Sequence, residues 1–286
     1  MSKQTSVTDL SVVENNTLAI PDSLESYFEE HAGEGKEDYG SGDFALPYLV
    51  ILQKGSPQVD ETNGKYINGA KQGMVFNTVT GEFFDTLAMK GRDNPKGLLV
   101  VTVANQRRFV EWVPRDEGGG FAGQHLETAD IVKQAKPHDK RPMILVAPNG
   151  NHLIETTYRY VVVAGETPQW GVIAFSSTQL KKARTWATML ATRVHKLKSG
   201  KSINPPHYGQ LYRLTTIPEQ NDFGSWFGWH IEPAGLVGDE ELLQAAKAYR
   251  DSVTAGSVKA AAPLSESDIT PEPAAKTAGS DDNIPF

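Results

Sequence analysis

The chain ends in Asp281-Asp282-Asn283-Ile284-Pro285-Phe286, an acidic pair followed by a proline between two large apolar side chains. Ile284 and Phe286 can enter an apolar pocket, Pro285 pre-extends the backbone at little entropic cost, and Asp281, Asp282 and a terminal carboxylate can pair with Lys or Arg around the rim. This is the chemistry of a partner-docking peptide. A second set of residues suits a different ligand. A strand of nucleic acid with unpaired bases requires cations for its phosphates and exposed aromatic faces for its bases, each stacked base contributing about 1–3 kcal/mol. Arg107, Arg108 and Trp112 interleave the two types in one strand-like stretch, and Lys181, Lys182, Arg184 and Trp186 do so at the start of a helix-like one. Arg193, Lys196, Lys198, Lys201, Tyr212 and Arg213 follow. A Trp or Tyr taken singly is usually a core residue, so the stacking roles rest on the adjoining cations.

The formal net charge of −7 looks wrong for a polyanion binder until it is resolved along the chain. Residues 1–43 carry 2 Lys/Arg against 10 Asp/Glu, and residues 219–286 carry 4 against 12, so each end is −8. Residues 44–166 balance at 14 against 13. Residues 167–218 hold 8 Lys/Arg and no acid in 52 positions. A basic middle between acidic ends is the footprint of a polyanion-binding surface that the overall charge conceals.

The terminal six residues resemble the acidic tip of bacterial single-stranded DNA-binding proteins, which recruits replication, repair and recombination enzymes; Asn283 stands where that family usually has Asp. The resemblance extends only to the style of the linker before the tip. It implies a protein that protects single-stranded DNA while its tip recruits host or phage enzymes, with no cofactor, no metal and no catalysis. The family's short, acid-poor barrel is not evident in the body, which points to a bacteriophage version and puts tetrameric assembly in doubt; a homo-oligomer of another kind stays open.

The elements that must position these residues are mainly β. Apolar and β-branched runs at 44–53, 74–79, 83–88, 97–104, 108–113, 143–147, 158–164, 169–175, 210–217 and 226–231 read as strands, with a hairpin turn at Gly165-Glu166-Thr167-Pro168. Two helices are embedded among them. Ser177 is expected to cap one over 178–198 with Leu180, Ala183, Ala187, Leu190, Val194 and Leu197 buried, and Asp239 to cap the other over 240–250 with Leu242, Leu243, Ala246 and Tyr249 buried. A short helix at 22–31 would open on an Asp22/Glu25 capping box. The expected fold is therefore mainly β with inserted helices (α+β), an OB-like barrel body between disordered tails. The domain plan is an acidic arm at 1–43, a nucleic-acid-binding domain at 44–251, a disordered linker at 252–280 and the tip at 281–286. The linker would span about 30 Å.

Several chemistries are excluded or weakened. With no Cys, there are no disulfides, thiol nucleophiles or Cys-based zinc sites. Gly200-Lys201-Ser202 mimics the end of a phosphate-binding loop, but His195 stands where its first Gly is required. The seven His lack H-x-x-x-H spacing, and no G-x-S-x-G surrounds any Ser. No apolar run is long enough to span a membrane and no secretory signal opens the chain, so a cytoplasmic protein, or one made in an infected host's cytoplasm, is expected. Three rivals remain in different classes: an adaptor or decoy that carries the tip without binding DNA, a recombination mediator or annealing protein, and a metal-dependent nuclease with no linear signature.

Overall fold

The computed structural model describes residues 21–32, 34–35, 45–88, 97–222 and 224–258. The chain divides into two compact units, Met1–Phe44 and Ala45–Phe286. In the first, α1 (Asp22–Glu30) starts directly after Pro21, whose fixed φ prepares a helix entry, and no side chain caps it. The N-cap position falls on Pro21, so Asp22 is the first helical residue rather than the expected cap. Leu24, Tyr27 and Phe28 of α1 are exposed.

The second unit opens with a small antiparallel sheet of β1 (Leu49–Ile51), β2 (Val75–Asn77) and β3 (Phe83–Phe84). β1 is shorter than the apolar run 44–53 because Pro47 lacks a ladder donor; its carbonyl instead accepts from Val172 N at 2.8 Å.

A larger antiparallel sheet is built on two long neighbours, β4 (Leu98–Trp112) and β8 (His152–Val163). Between them in sequence lie β5 (Phe121–His125), α2 (Asp130–Gln134), β6 (Lys136–His138) and β7 (Arg141–Val146). After β8 come β9 (Gln169–Ser176), α3 (Leu180–Thr192), the two-residue strands β10 (His195–Lys196) and β11 (Ser202–Ile203), β12 (Gln210–Asn221), β13 (Gly224–Leu236) and α4 (Glu240–Thr254). The sheet path is β13-β12-β4-β8-β7-β6, with β5 beside β4 and β9 beside β8. The two runs 97–104 and 108–113 are one strand: polar Asn105, Gln106 and Arg107 keep pairing with Arg159, Tyr158 and Thr157, and a bulge between Thr102 and Ala104 absorbs the twist.

β8–β9 is an antiparallel hairpin, as its turn signal requires, and β12–β13 is an antiparallel pair as well. The fold is mainly β with few helices. The ladders do not close into a barrel among the described residues; single parallel bridges, Tyr48–Val172 and Leu87–Thr216, link the segments flanking the small sheet to β9 and β12.

Each of the two longer helices covers one face of this sheet. α4 sets Leu242, Ala246, Tyr249 and Val253 against Val101, Val103, Tyr158, Tyr160 and Val162. α3 sets Ala183, Trp186 and Leu190 against Val161, Val163, Ile173, Phe175, Tyr212 and Leu214. Strand alternation thus sends successive β8 residues to opposite cores. α4 continues past Arg250 to Thr254, and Val258 packs on the same core, so residues 252–258 belong to the body rather than to a linker. The remainder of the expected linker and the whole tip, Asp281, Asp282, Ile284, Pro285 and Phe286, lie outside the described residues.

Candidate nucleic-acid interface

α3 differs from its expected form in three ways, each with a physical cause. A 3-10 turn, Ser177–Gln179, precedes it, and Ser177 sits inside that turn at φ 50 with no capping bond from its side chain. The buried stripe is Leu180, Ala183, Trp186 and Leu190, so Trp186 replaces Ala187 as the third anchor. The helix ends at Thr192 because Arg193 turns to extended backbone (ψ 125), and the chain enters a β10–β11 hairpin that turns at Gly200, φ +85. Val194 and Leu197 are therefore exposed rather than buried.

This relocates the candidate residues. Lys181 is exposed on α3, and Lys196, Lys198 and Lys201 are exposed on the hairpin. None of the four has an ion-pair partner among the described residues. Arg107 and Arg184 are brought together by a carboxylate that sequence reasoning passed over: Glu155 Oε1 on β8 accepts from Arg107 Nε at 2.8 Å and lies 3.4 Å from Arg184 Nη2. Arg107 also reaches Glu127 at 3.1 Å. Arg108 points elsewhere and donates to the Arg107 carbonyl at 2.8 Å. Arg213 is half-buried on β12 opposite Glu232.

Lys182 is committed to the fold. Its Nζ lies 2.5 Å from Glu219 Oε1, while Gln179 Nε2 and Trp226 Nε1 each donate to Glu219 Oε2 at 2.9 Å. Burial alone would raise the Glu219 carboxyl, but the close Lys182 ammonium and the Gln179 and Trp226 hydrogen bonds outweigh it and hold the group below the ordinary carboxylate value. A nearby position on β13, Gly228, which pairs with Ile217, must be small here: a Cβ on it would meet Glu219 Oε2 at 2.2 Å.

The two tryptophans expected to stack on bases are in the core. Trp186 is 0% exposed, edge-on to Phe175 and Tyr212, with the Arg159 guanidinium 5.1 Å from its ring centre. Trp112 is 2% exposed and edge-on to Phe121. Tyr212 is buried as well, its hydroxyl donating to Gln210 Oε1 at 3.2 Å; burial pushes that hydroxyl up, against the pull of Arg193 and Arg159. Arg193 is half-buried, and its charge is one of the pulls on the Tyr212 hydroxyl. The base-stacking roles of Trp112, Trp186 and Tyr212 are corrected accordingly: apolar burial claims rings that sit on core-facing positions.

A second polar cluster lies on β4 near α2. Glu111 is buried, with Oε1 accepting from Asn149 Nδ2 at 2.8 Å and Asn151 Nδ2 at 2.6 Å, and Oε2 2.6 Å from His125 Nε2. Burial opposes ionisation, and these three partners overcome it, so the carboxyl sits below its ordinary value. Two amides complete this carboxylate's shell, which suits it to fixing β5 and the β7–β8 turn to β4. Among the described residues no three His, Asp or Glu gather as a metal site, and no helix is long and apolar enough to cross a membrane.

The model of the Pam3 phage gp34-like protein family matches residues 14–259. The chain belongs to that family. Its phage character agrees with the expectation of a bacteriophage protein. The match ends short of the tip, and no curated protein and no solved structure matches the chain.

Proposed function

We propose that this phage-family protein binds single-stranded DNA without catalysis and recruits replication, recombination and repair enzymes through residues 281–286. The observation that carries the DNA half is the group of exposed lysines, Lys181, Lys196, Lys198 and Lys201, which have no ion-pair partner among the described residues and lie on a 52-residue stretch that contains no acid. Hydrated ammonium groups on mobile stems are suited to phosphates tracked without sequence preference. The bridges Tyr48–Val172 and Leu87–Thr216 support an OB-like reading of the body, since they carry the small sheet towards both flanks of the large one. The recruiting half rests on the sequence of the tip, an acidic and apolar peptide beyond the last core residue.

Titration of labelled single-stranded and duplex oligonucleotides at two salt concentrations tests the reading. Single strands should bind more tightly, and replacing Lys196, Lys198 and Lys201 together with Ala should flatten the salt slope by up to about 0.7 per lost phosphate contact. Phe286→Ala should abolish partner capture while leaving DNA affinity nearly unchanged, because it empties the apolar pocket and leaves the lysines untouched. Wild-type protein that shows no salt-dependent binding, yet still captures partners, would instead be an adaptor built around the tip.

A further inference from the structure

With Trp112 and Trp186 in the core, a different ring is available for bases. Trp170 on β9 is 39% exposed, and all other tryptophans are buried or half-buried. One of its faces is covered. Tyr249 of α4 lies parallel to it, with ring centres 4.4 Å apart and 9° between the planes. Tyr249 is itself fully buried and edge-on to Tyr160 at 6.0 Å, and its hydroxyl donates to the Gly171 carbonyl at 3.4 Å, the residue next to Trp170. The Trp170 backbone is held in the β8–β9 ladder opposite Val162. A column of three aromatic rings therefore runs from the core to the surface and ends in an indole that has one face on Tyr249 and is 39% exposed.

We infer that the face of Trp170 turned away from Tyr249 stacks an unpaired nucleobase, an inference that rests on the single-strand reading above. The ring's orientation is fixed before any ligand arrives, so stacking does not pay the rotamer cost that a free surface Trp would. Every base has a π-face, so the contact is indifferent to sequence. Trp170 lies on the α4 side of the sheet and the lysines follow α3 on the other. The two contributions share no partner and should add.

Oligo(dT) and an abasic oligonucleotide of the same length separate the two contributions, because the second keeps the phosphates and lacks the bases. Wild type should bind oligo(dT) more tightly than the abasic strand, with quenching of tryptophan fluorescence. Trp170→Ala should weaken oligo(dT) binding roughly 5- to 150-fold, leave abasic binding unchanged and remove the quenching. Trp170→Phe, which keeps a ring on Tyr249 and guards against loss of the fold, should retain most of the oligo(dT) affinity. If both variants bind oligo(dT) as wild type does, the stacking site is wrong while the lysine track stands. If wild type binds neither strand in a salt-dependent way, the single-strand reading falls and the stacking site falls with it.

Discussion

α3 and α4 cover opposite faces of one sheet, yet they answer to different constraints. α4 starts where an aspartate caps it, Asp239 Oδ1 accepting from Leu242 N at 2.7 Å, and buries Leu242, Ala246 and Tyr249 at the spacing its sequence displays. Local signals suffice for it. α3 has no capping bond, turns a tryptophan inward from its basic side and stops six residues before Lys198. Its course is set by what the sheet offers: a pocket between Phe175 and Tyr212 for Trp186, and carboxylates on β8 and β12 for Arg184 and Lys182. A helix without acids in sequence is thus supplied with acids in space, and only cations beyond their reach stay available to a ligand.

The largest expected effect tests whether α3 is anchored by its tryptophan. Trp186→Ala empties a site with 0% exposure and removes the ring beneath the Arg159 guanidinium, so it should cost about 3–5 kcal/mol in denaturant unfolding. A loss under about 1 kcal/mol would make α3 a peripheral helix and would return Trp186 to the pool of ligand-facing rings.

A smaller effect is expected at the carboxylate that fastens α3 to β12. Glu219→Gln leaves Lys182 without its partner and should cost roughly 1–3 kcal/mol at neutral pH. The folded Glu219 carboxyl lies below its ordinary value, so its stabilisation is complete above the unfolded pKa of about 4.3 and is lost as pH falls through the lower folded value. The stability gap between wild type and Glu219→Gln should therefore be widest at pH 7 and shrink below about pH 4. Glu111, shifted in the same direction, destabilises both proteins in acid and cancels from the difference. A gap that stays constant from pH 7 to pH 3 would show that Glu219 acts through packing rather than charge.

Periodicity exposed the strands well where both cores demand apolar residues, as in 158–164 and 169–175, because alternate faces of β8 and β9 are buried against different helices. The polar link Asn105–Arg107 concealed the unity of β4, since its pairing is a backbone property that side-chain pattern does not report. The cations of 181–201 were legible as a set, but their division into engaged and available members was not. That division depends on Glu155 and Glu219, which lie 29 and 37 residues away in sequence from Arg184 and Lys182. The stacking of Trp170 on Tyr249 was equally hidden, because it follows from where α4 places Tyr249. Four of the cations on α3 and its hairpin thus remain candidates for phosphate, while the rings nearest them in sequence do not remain candidates for bases.

The smallest expected effect sharpens the contrast at the two helix entries. Asp239 makes a real capping bond, so Asp239→Ala should cost about 0.5–2 kcal/mol. Ser177 was an equally plausible cap by residue type, yet it lies inside the 3-10 turn at φ 50, in the left-handed region, and makes no such bond. Ser177→Ala should therefore change stability by less than about 0.5 kcal/mol. Parallel urea titrations of the two variants decide the matter, because equal losses would mean that α3 is capped after all and that its entry, like that of α4, is written locally. A loss confined to Asp239→Ala would instead place the start of α3 under the control of its tertiary contacts, with Gln179 held by Glu219 and the Trp229 amide rather than by any cap.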